Sequence, residues 1–187
     1  MDINRLCCLC SPVARCFRSL KSGVKCGQMI AIVIPRFSGK SQFINSVNST
    51  NYLLLDLEEN VTLEMTEVER TKLQGLIGNA SYNLHYFPIC RDYLKKIRDN
   101  HKNKAILVFC SDMELVKYLG ISKIYAYAPS NQLSERIKAD LPEADRAKYE
   151  QSRLELLIHN KEKMFSFNDF NQLTQSIINK FKLTMKL

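Results

Sequence analysis

MIAIVIPRFSGKSQFI, residues 29–44, decides the reading of this chain. An apolar run turns there into Ser38-Gly39-Lys40-Ser41 and then into helix-forming sequence. A short apolar run bounded by turn signals reads as a fully buried strand. A strand that delivers such a turn to the start of a helix creates a concavity of backbone N–H groups suited to phosphate. In that geometry Pro35, Ser38, Gly39, Lys40, Ser41 and Gln42 form the cradle, Lys40 placing a charge at the β/γ-phosphates and Ser41 a hydroxyl for Mg²⁺. The full pattern G-x-x-x-x-G-K-[ST] has glycine where this chain has Ile34, and Phe37 stands where common variants carry a further glycine. Bulky side chains resist positive φ, so the expectation is a loop that bends differently or holds phosphate less closely.

Around this stretch, 187 residues are enough for one domain with its own core, and 45% hydrophobic with 25% charged residues is ordinary for a globular protein. The chain divides into a basic, cysteine-rich tail, 1–28, and an α/β domain, 29–187. Of the formal net charge of +8, half lies in the tail, where Arg5, Arg15, Arg18, Lys21 and Lys25 stand against Asp2 alone. Such a tail fits nucleic acid or an anionic membrane face, a solubilising segment being the plain alternative. Seven cysteines with no secretory-type leader ahead of them predict a reduced, cytoplasmic setting, peripheral to a membrane or within a larger assembly. No run reaches the roughly 18 apolar residues that span a bilayer. Cys7, Cys8, Cys10, Cys16 and Cys26 leave three readings open. Four of them could hold zinc, although Cys16 and Cys26 are too widely spaced for the usual second pair. They could be S-acylated beside the basic residues, or be idle thiols packing on a protein partner.

Further apolar runs follow at 52–57, 105–110, 124–128 and 163–167. Asp56, Glu58 and Glu59 lie at the carboxyl end of the first of these, where ligands of open α/β sheets gather. A carboxylate there can hold Mg²⁺ or position a substrate hydroxyl, or be a solvated strand end. Asp112 follows the 105–110 strand and is either a helix cap or a metal-facing strand tip. Helical patterns occupy 40–47, 62–77, 88–99, 113–119, 131–138, 144–160 and 171–181. The alternation predicts a five-stranded parallel sheet with helices on both faces, since parallel neighbours need crossover helices.

This order of elements resembles the phosphate-loop nucleotide kinases, and the C-terminal half is most similar to guanylate kinases. IYAYAPSNQLSERI, 124–137, resembles that family's strand ending in Pro-Ser and running into a helix that closes Glu-Arg. AILVFCSDMELVKYL, 105–119, resembles its strand with an aspartate before a helix, and MFSFNDFNQLTQSIINKF, 164–181, its last strand, Asn-Asp turn and closing helix. The resemblance covers about 28–183. It implies that Gly39, Lys40 and Ser41 grip phosphates and that Arg136 begins a lid over the donor nucleotide. It further implies that Arg146 and Arg153 neutralise the transferring phosphoryl group, with ATP or GTP and Mg²⁺ as cofactors. The chain departs from the family at 138–143, where the lid is Arg-Gly-rich, and over 60–104, which read as helix in place of a small β-rich acceptor module. The expected function is a guanylate-kinase-like domain that binds a nucleoside triphosphate as a nucleotide-binding or interaction module with weakened or lost catalysis. The alternative is an active nucleoside or nucleotide kinase moving the ATP γ-phosphoryl group.

Overall fold

In the apolar run that follows Met29, successive side chains point to opposite faces. Ile30, Ile32 and Ile34 enter one core, and Ala31 and Val33 enter another. A strand buried on both sides belongs at the middle of a covered parallel sheet, and that is where β1 (Met29–Val33) lies. The other strands of the sheet are β3 (Tyr52–Asp56), β4 (Ala105–Cys110), β5 (Ile124–Pro129) and β6 (Met164–Phe167), in the order β3-β4-β1-β5-β6 with every pairing parallel. Two short strands, β2 (Val47–Asn48) and β7 (Thr184–Met185), form a separate antiparallel ribbon. The computed structural model describes residues 27–159 and 164–186, so the readings of the tail cysteines and of a tail-bound membrane, nucleic acid or protein lie outside the described residues.

Eight helices among the described residues complete the fold: α1 (Lys40–Ser46), α2 (Leu57–Glu64), α3 (Glu67–Gln74), α4 (Tyr82–Asn100), α5 (Met113–Tyr118), α6 (Asn131–Asp140), α7 (Glu143–His159) and α8 (Phe170–Phe181). Leu57, Val61, Phe87, Leu94, Met113, Val116 and Leu156 from α2, α4, α5 and α7 pack on the Ala31/Val33 face. Phe43 of α1 and Leu173, Ile177 and Phe181 of α8 pack on the Ile30/Ile32 face. The expected five-stranded parallel sheet with helices on both faces is therefore present. From β1 the chain first goes to β3, fills the gap with β4, and then crosses to β5 on the other side of β1. That reversal opens a crevice at the carboxyl end of β1, the usual ligand position in open α/β sheets.

Two helices differ from expectation. The single helix expected over 62–77 is broken, because Thr66 caps a new helix: its side chain accepts the Glu69 N–H while the Glu69 carboxylate accepts the Thr66 N–H. The helix expected to begin at Pro88 begins at Tyr82, and Pro88 lies inside it. Proline removes one N–H from the helical ladder. The carbonyl that would have received it belongs to Leu84, an exposed residue.

Gly39 precedes α1 with φ +90, and a Cβ placed there would stand 2.8 Å from Cδ2 of Phe170. Gly39→Ala should therefore destabilise the protein by about 2–4 kcal/mol, from the left-handed backbone and the overlap together. Urea unfolding of Gly39→Ala, Phe170→Ala and the double variant checks this. The overlap predicts that the double variant is more stable than the sum of the single effects, and simple additivity would refute the contact.

Candidate functional site

The loop leaving β1 is held from several directions. Ile34 is buried and donates its N–H to the Cys110 carbonyl at 3.0 Å, and Pro35 is buried beside it. The Arg36 N–H goes to Ser152 Oγ on α7 at 3.1 Å. Ser38 is buried, donating its N–H to the Pro35 carbonyl at 3.3 Å and its hydroxyl to the Arg36 carbonyl at 3.4 Å. Positive φ falls at Phe37 (60) and Gly39 (90), and Ile34 is not among the positive-φ residues. The obstruction expected at Ile34 does not arise, because the turn is made three residues later. The bulky Phe37 adopts the left-handed conformation expected of glycine, with its ring half exposed.

Lys40 is the electrostatic centre of the loop. Its Nζ lies 2.8 Å from Asp56 Oδ1 and also bonds Glu58 Oε2. Ser41 Oγ donates to Asp56 Oδ2 at 3.0 Å. Asp56, the last residue of β3, caps α2 by accepting the Glu59 N–H, and Glu58 follows in the first helical turn. The other Glu58 oxygen, Oε1, accepts the Ser111 N–H at 2.8 Å, the Ser111 hydroxyl and the Cys110 thiol at 3.6 Å. Burial acts to neutralise both partners, but attraction wins: the Glu58 and Asp56 charges hold the Lys40 amine above its ordinary value, and Lys40 with Ser111 holds the Glu58 carboxyl below its own. Burial pushes the Cys90 thiol up to about 12 and the Cys110 thiol higher than usual, so both are protonated at neutral pH.

Two adjoining cavities open beside this cluster, of about 530 Å³ and about 650 Å³. Arg36, Glu58, Ile77, Tyr82 and Tyr86 line both. The first is completed by Phe37, Lys40, Met65 between α2 and α3, and side chains of those two helices, among them Thr62, Arg70 and Leu73. The second is completed by Ser111, Asp112 and α7, including Lys148 and Glu155. Both fall in the size range of small-molecule sites; the first has mainly apolar walls, and the second is lined largely by polar and charged side chains. The stretch 60–104, expected to be mostly helical in place of an acceptor module, is mostly helical, and side chains between Thr62 and Tyr86 wall the first cavity.

Of the expected metal-facing groups, Ser41 and Asp56 are brought together, whereas Asp112 caps α5 through the Leu115 N–H at 2.9 Å. Among the described residues no cluster of three or more His, Cys, Asp or Glu side chains is placed to hold a metal. Mg²⁺ needs none, since it is usually bound through one or two carboxylates plus substrate phosphates. The hard oxygen pair Ser41 Oγ and Asp56 fits that role. The expected lid arginines line neither cavity. Arg136 is exposed on α6. Arg146 donates Nε to the Leu141 carbonyl at 3.0 Å, and buried Arg153 donates to Asn131 Oδ1 at 2.6 Å. Gln42 is exposed on α1. The groups that sequence reading did not assign to the site are Arg36, Arg70, Tyr82 and Tyr86. Glu58 was visible only as one of several acids at a strand end.

Among solved structures the chain is similar to the tunicamycin resistance protein of Deinococcus radiodurans, 17% identical, covering 86% of this chain and 99% of that one with a TM-score of 0.50. It is also similar to a gluconokinase from Sinorhizobium meliloti, 12% identical, covering 85% and 92% with a TM-score of 0.43. No protein-family model matches the chain, and no curated protein does. The first likeness shows the fold, a parallel α/β sheet covered by helices. No described helix is long and apolar enough to cross a membrane.

The depressed Glu58 carboxyl makes a stability contribution that is complete above the ordinary carboxyl value of 4.5 and is lost as pH falls through its lower folded value. Glu58→Gln should cost about 1–3 kcal/mol at neutral pH. Urea denaturation of both proteins across pH 3–7, a window taken as roughly one spanning the carboxyl titration, should show the gap closing on the acid side. A gap independent of pH would mean that Glu58 is not held ionised by Lys40.

Proposed function

We propose that this protein is a phosphotransferase that moves the γ-phosphoryl group of ATP or GTP to the hydroxyl of a small molecule bound in the cavities beside Glu58. The observation that carries the proposal is the joining of Lys40, Ser41, Asp56 and Glu58 into one cluster whose Glu58 carboxylate opens onto both cavities. Phosphoryl transfer needs positioning and positive charge more than covalent help from the protein, and this cluster supplies both.

In this reading the Lys40 ammonium turns from its carboxylates to the β/γ-phosphate oxygens of the bound nucleotide. Ser41 and Asp56 are the residues that would hold Mg²⁺, which would supply charge neutralisation beside the phosphates. Glu58, ionised and fixed by Ser111, accepts the proton of the acceptor hydroxyl. As that oxygen bonds to the γ-phosphorus, the bond to the bridging oxygen breaks and its electron pair leaves with the nucleoside diphosphate. Tyr82 and Tyr86, with ring centroids 5.5 Å apart, and Ile77 offer the acceptor an apolar wall.

A domain without catalysis was the reading favoured by bulky Ile34 and Phe37 and by the lack of an acceptor module. Phe37 takes the required turn and α2–α4 wall a cavity, so both arguments for that reading lose force. The guanylate-kinase likeness of the C-terminal half supports a nucleotide donor. It gives no support for GMP as acceptor, because the helical wall differs from that family's β-rich module.

Calorimetry with MgATP and MgGTP should detect binding that Lys40→Ala abolishes. Glu58→Gln should keep nucleotide affinity within about threefold yet lower the transfer rate about 10²-fold or more, read as ³²P passing from γ-labelled nucleotide to members of a hydroxyl-compound library. A wild type that binds neither nucleotide refutes the proposal, and full transfer by Glu58→Gln refutes the role of Glu58.

A further inference from the structure

Arginine is the side chain best matched to a phosphoryl group in transit, because its planar fork can meet two oxygens at once. The arginines that the guanylate-kinase likeness points to are occupied or turned elsewhere: Arg146 bonds the Leu141 carbonyl, and Arg153 is buried against Asn131 and Glu150. Arg70 lines the first cavity, but its Nη2 is taken by the Thr62 and Met65 carbonyls. Arg36 differs from all of these. It lies inside the phosphate-type loop, four residues before Lys40, and its side chain lines both cavities. It makes no ion pair among the described residues and is exposed, so its guanidinium is available to a ligand.

The backbone of Arg36 is nevertheless fixed. Its N–H is held by Ser152 Oγ, whose hydroxyl in turn donates to the Tyr149 carbonyl at 2.9 Å. Its carbonyl receives the Ser38 hydroxyl. The next residue, Phe37, has a left-handed backbone that a non-glycine residue holds only at a cost of about 1–2 kcal/mol. Strain of this kind persists where surrounding contacts over-determine it, and it clusters at working sites. The outcome is a cation with an anchored backbone and no ion-pair partner among the described residues, lining the same two cavities as Glu58.

We propose that Arg36 is the catalytic cation that clamps the γ-phosphoryl group between donor and acceptor, the part that the sequence resemblance gave to Arg146 and Arg153. The inference rests on the phosphotransfer reading above and assigns within it a group that the reading does not require. A clamp on the γ-phosphoryl group leaves the α-phosphate to the loop and the β/γ bridge to Lys40, so Arg36 is the group that meets the third phosphate alone. Arg36 therefore discriminates between nucleotides with three phosphates and those with two.

The test uses the full chain, with MgADP and the magnesium complex of the non-hydrolysable triphosphate adenylyl imidodiphosphate as probes in titration calorimetry. Wild type should bind the triphosphate analogue about tenfold or more tightly than MgADP. Arg36→Ala should bind MgADP within about twofold of wild type and lose the preference, while Arg36→Lys, which restores charge without the fork, should recover part of it. Circular dichroism melting of the variants, expected to match wild type because Arg36 is exposed, confirms that the fold is intact. An unchanged preference in Arg36→Ala, a parallel loss of MgADP affinity, or a wild type that binds both probes equally overturns the clamp alone. A wild type that binds neither these probes nor their guanine counterparts, MgGDP and guanylyl imidodiphosphate, overturns the phosphotransfer reading and the clamp with it.

Discussion

The ammonium of Lys40 held between Asp56 and Glu58 is the contact on which the rest of the site depends. Taking one amine and two carboxylates out of water carries a penalty of several kcal/mol per ion unless each finds a partner. Here the partners come from three strand tips at once. Lys40 follows the loop from β1, Asp56 ends β3, and Glu58 reaches across to Ser111 just beyond β4. The cluster therefore sets how the β1 loop stands relative to the β3 tip and fixes where α2 begins. Since α2 and the helices after it wall the first cavity, the shape of that cavity follows from the same charge balance.

The sheet can present these tips together because its two faces are filled in different ways. On the face carrying Ala31, Ala126 and Ala128, small strand residues let α2, α4, α5 and α7 supply the bulk. On the opposite face α1 and α8 are the described helices that contribute buried residues, and aromatic rings take up the volume. Phe43 and Phe109 lie 5.5 Å apart, and Phe181 meets Tyr52 and Tyr125 edge-on. Dense packing of this kind resists small displacements. The loop between Ile34 and Lys40 thus hangs from a stiff support on one side, with Phe170 closed over Gly39 on the other.

Much of this was legible in the sequence for a physical reason. Strands buried on both faces read as unbroken apolar runs, so 30–34, 52–57 and 105–110 declared themselves, and the parallel sheet followed. The break at Thr66 was also legible, because Thr66-x-x-Glu69 is a capping box, but the helical stripe on either side masked it. Pro88 misled in the opposite direction: a proline inside a helix is tolerated where the freed carbonyl meets water, and exposure of Leu84 cannot be known before the fold. The ribbon of β2 and β7 joins residues far apart in the chain through two-residue strands, too short to leave a periodic signal. The placement of Arg36 was hidden for a related reason. Nothing in Pro35-Arg36-Phe37 says which way the chain turns, and the anchor that decides it, Ser152, lies on α7.

The cluster around Lys40 is a poor investment if its purpose is stability. A buried ion pair can often be exchanged for well-packed apolar side chains at no loss, and sometimes with a gain. Such side chains abound in the strands that lead to the cluster, where Ile32, Ile34 and Phe109 are wholly enclosed. The fold therefore has an apolar solution at hand and does not use it at this position. Ser111 is also buried there, and both its backbone N–H and its hydroxyl are directed at Glu58. A side chain used only as a counter-charge would gain little from such fixing, whereas a carboxylate that must meet a ligand in one orientation gains a great deal. The same reasoning separates Arg153 from Arg36. Arg153 is buried with Nε unpartnered and ties α7 to the start of α6, a structural joint, whereas Arg36 lines both cavities and lets the backbone carry the anchoring.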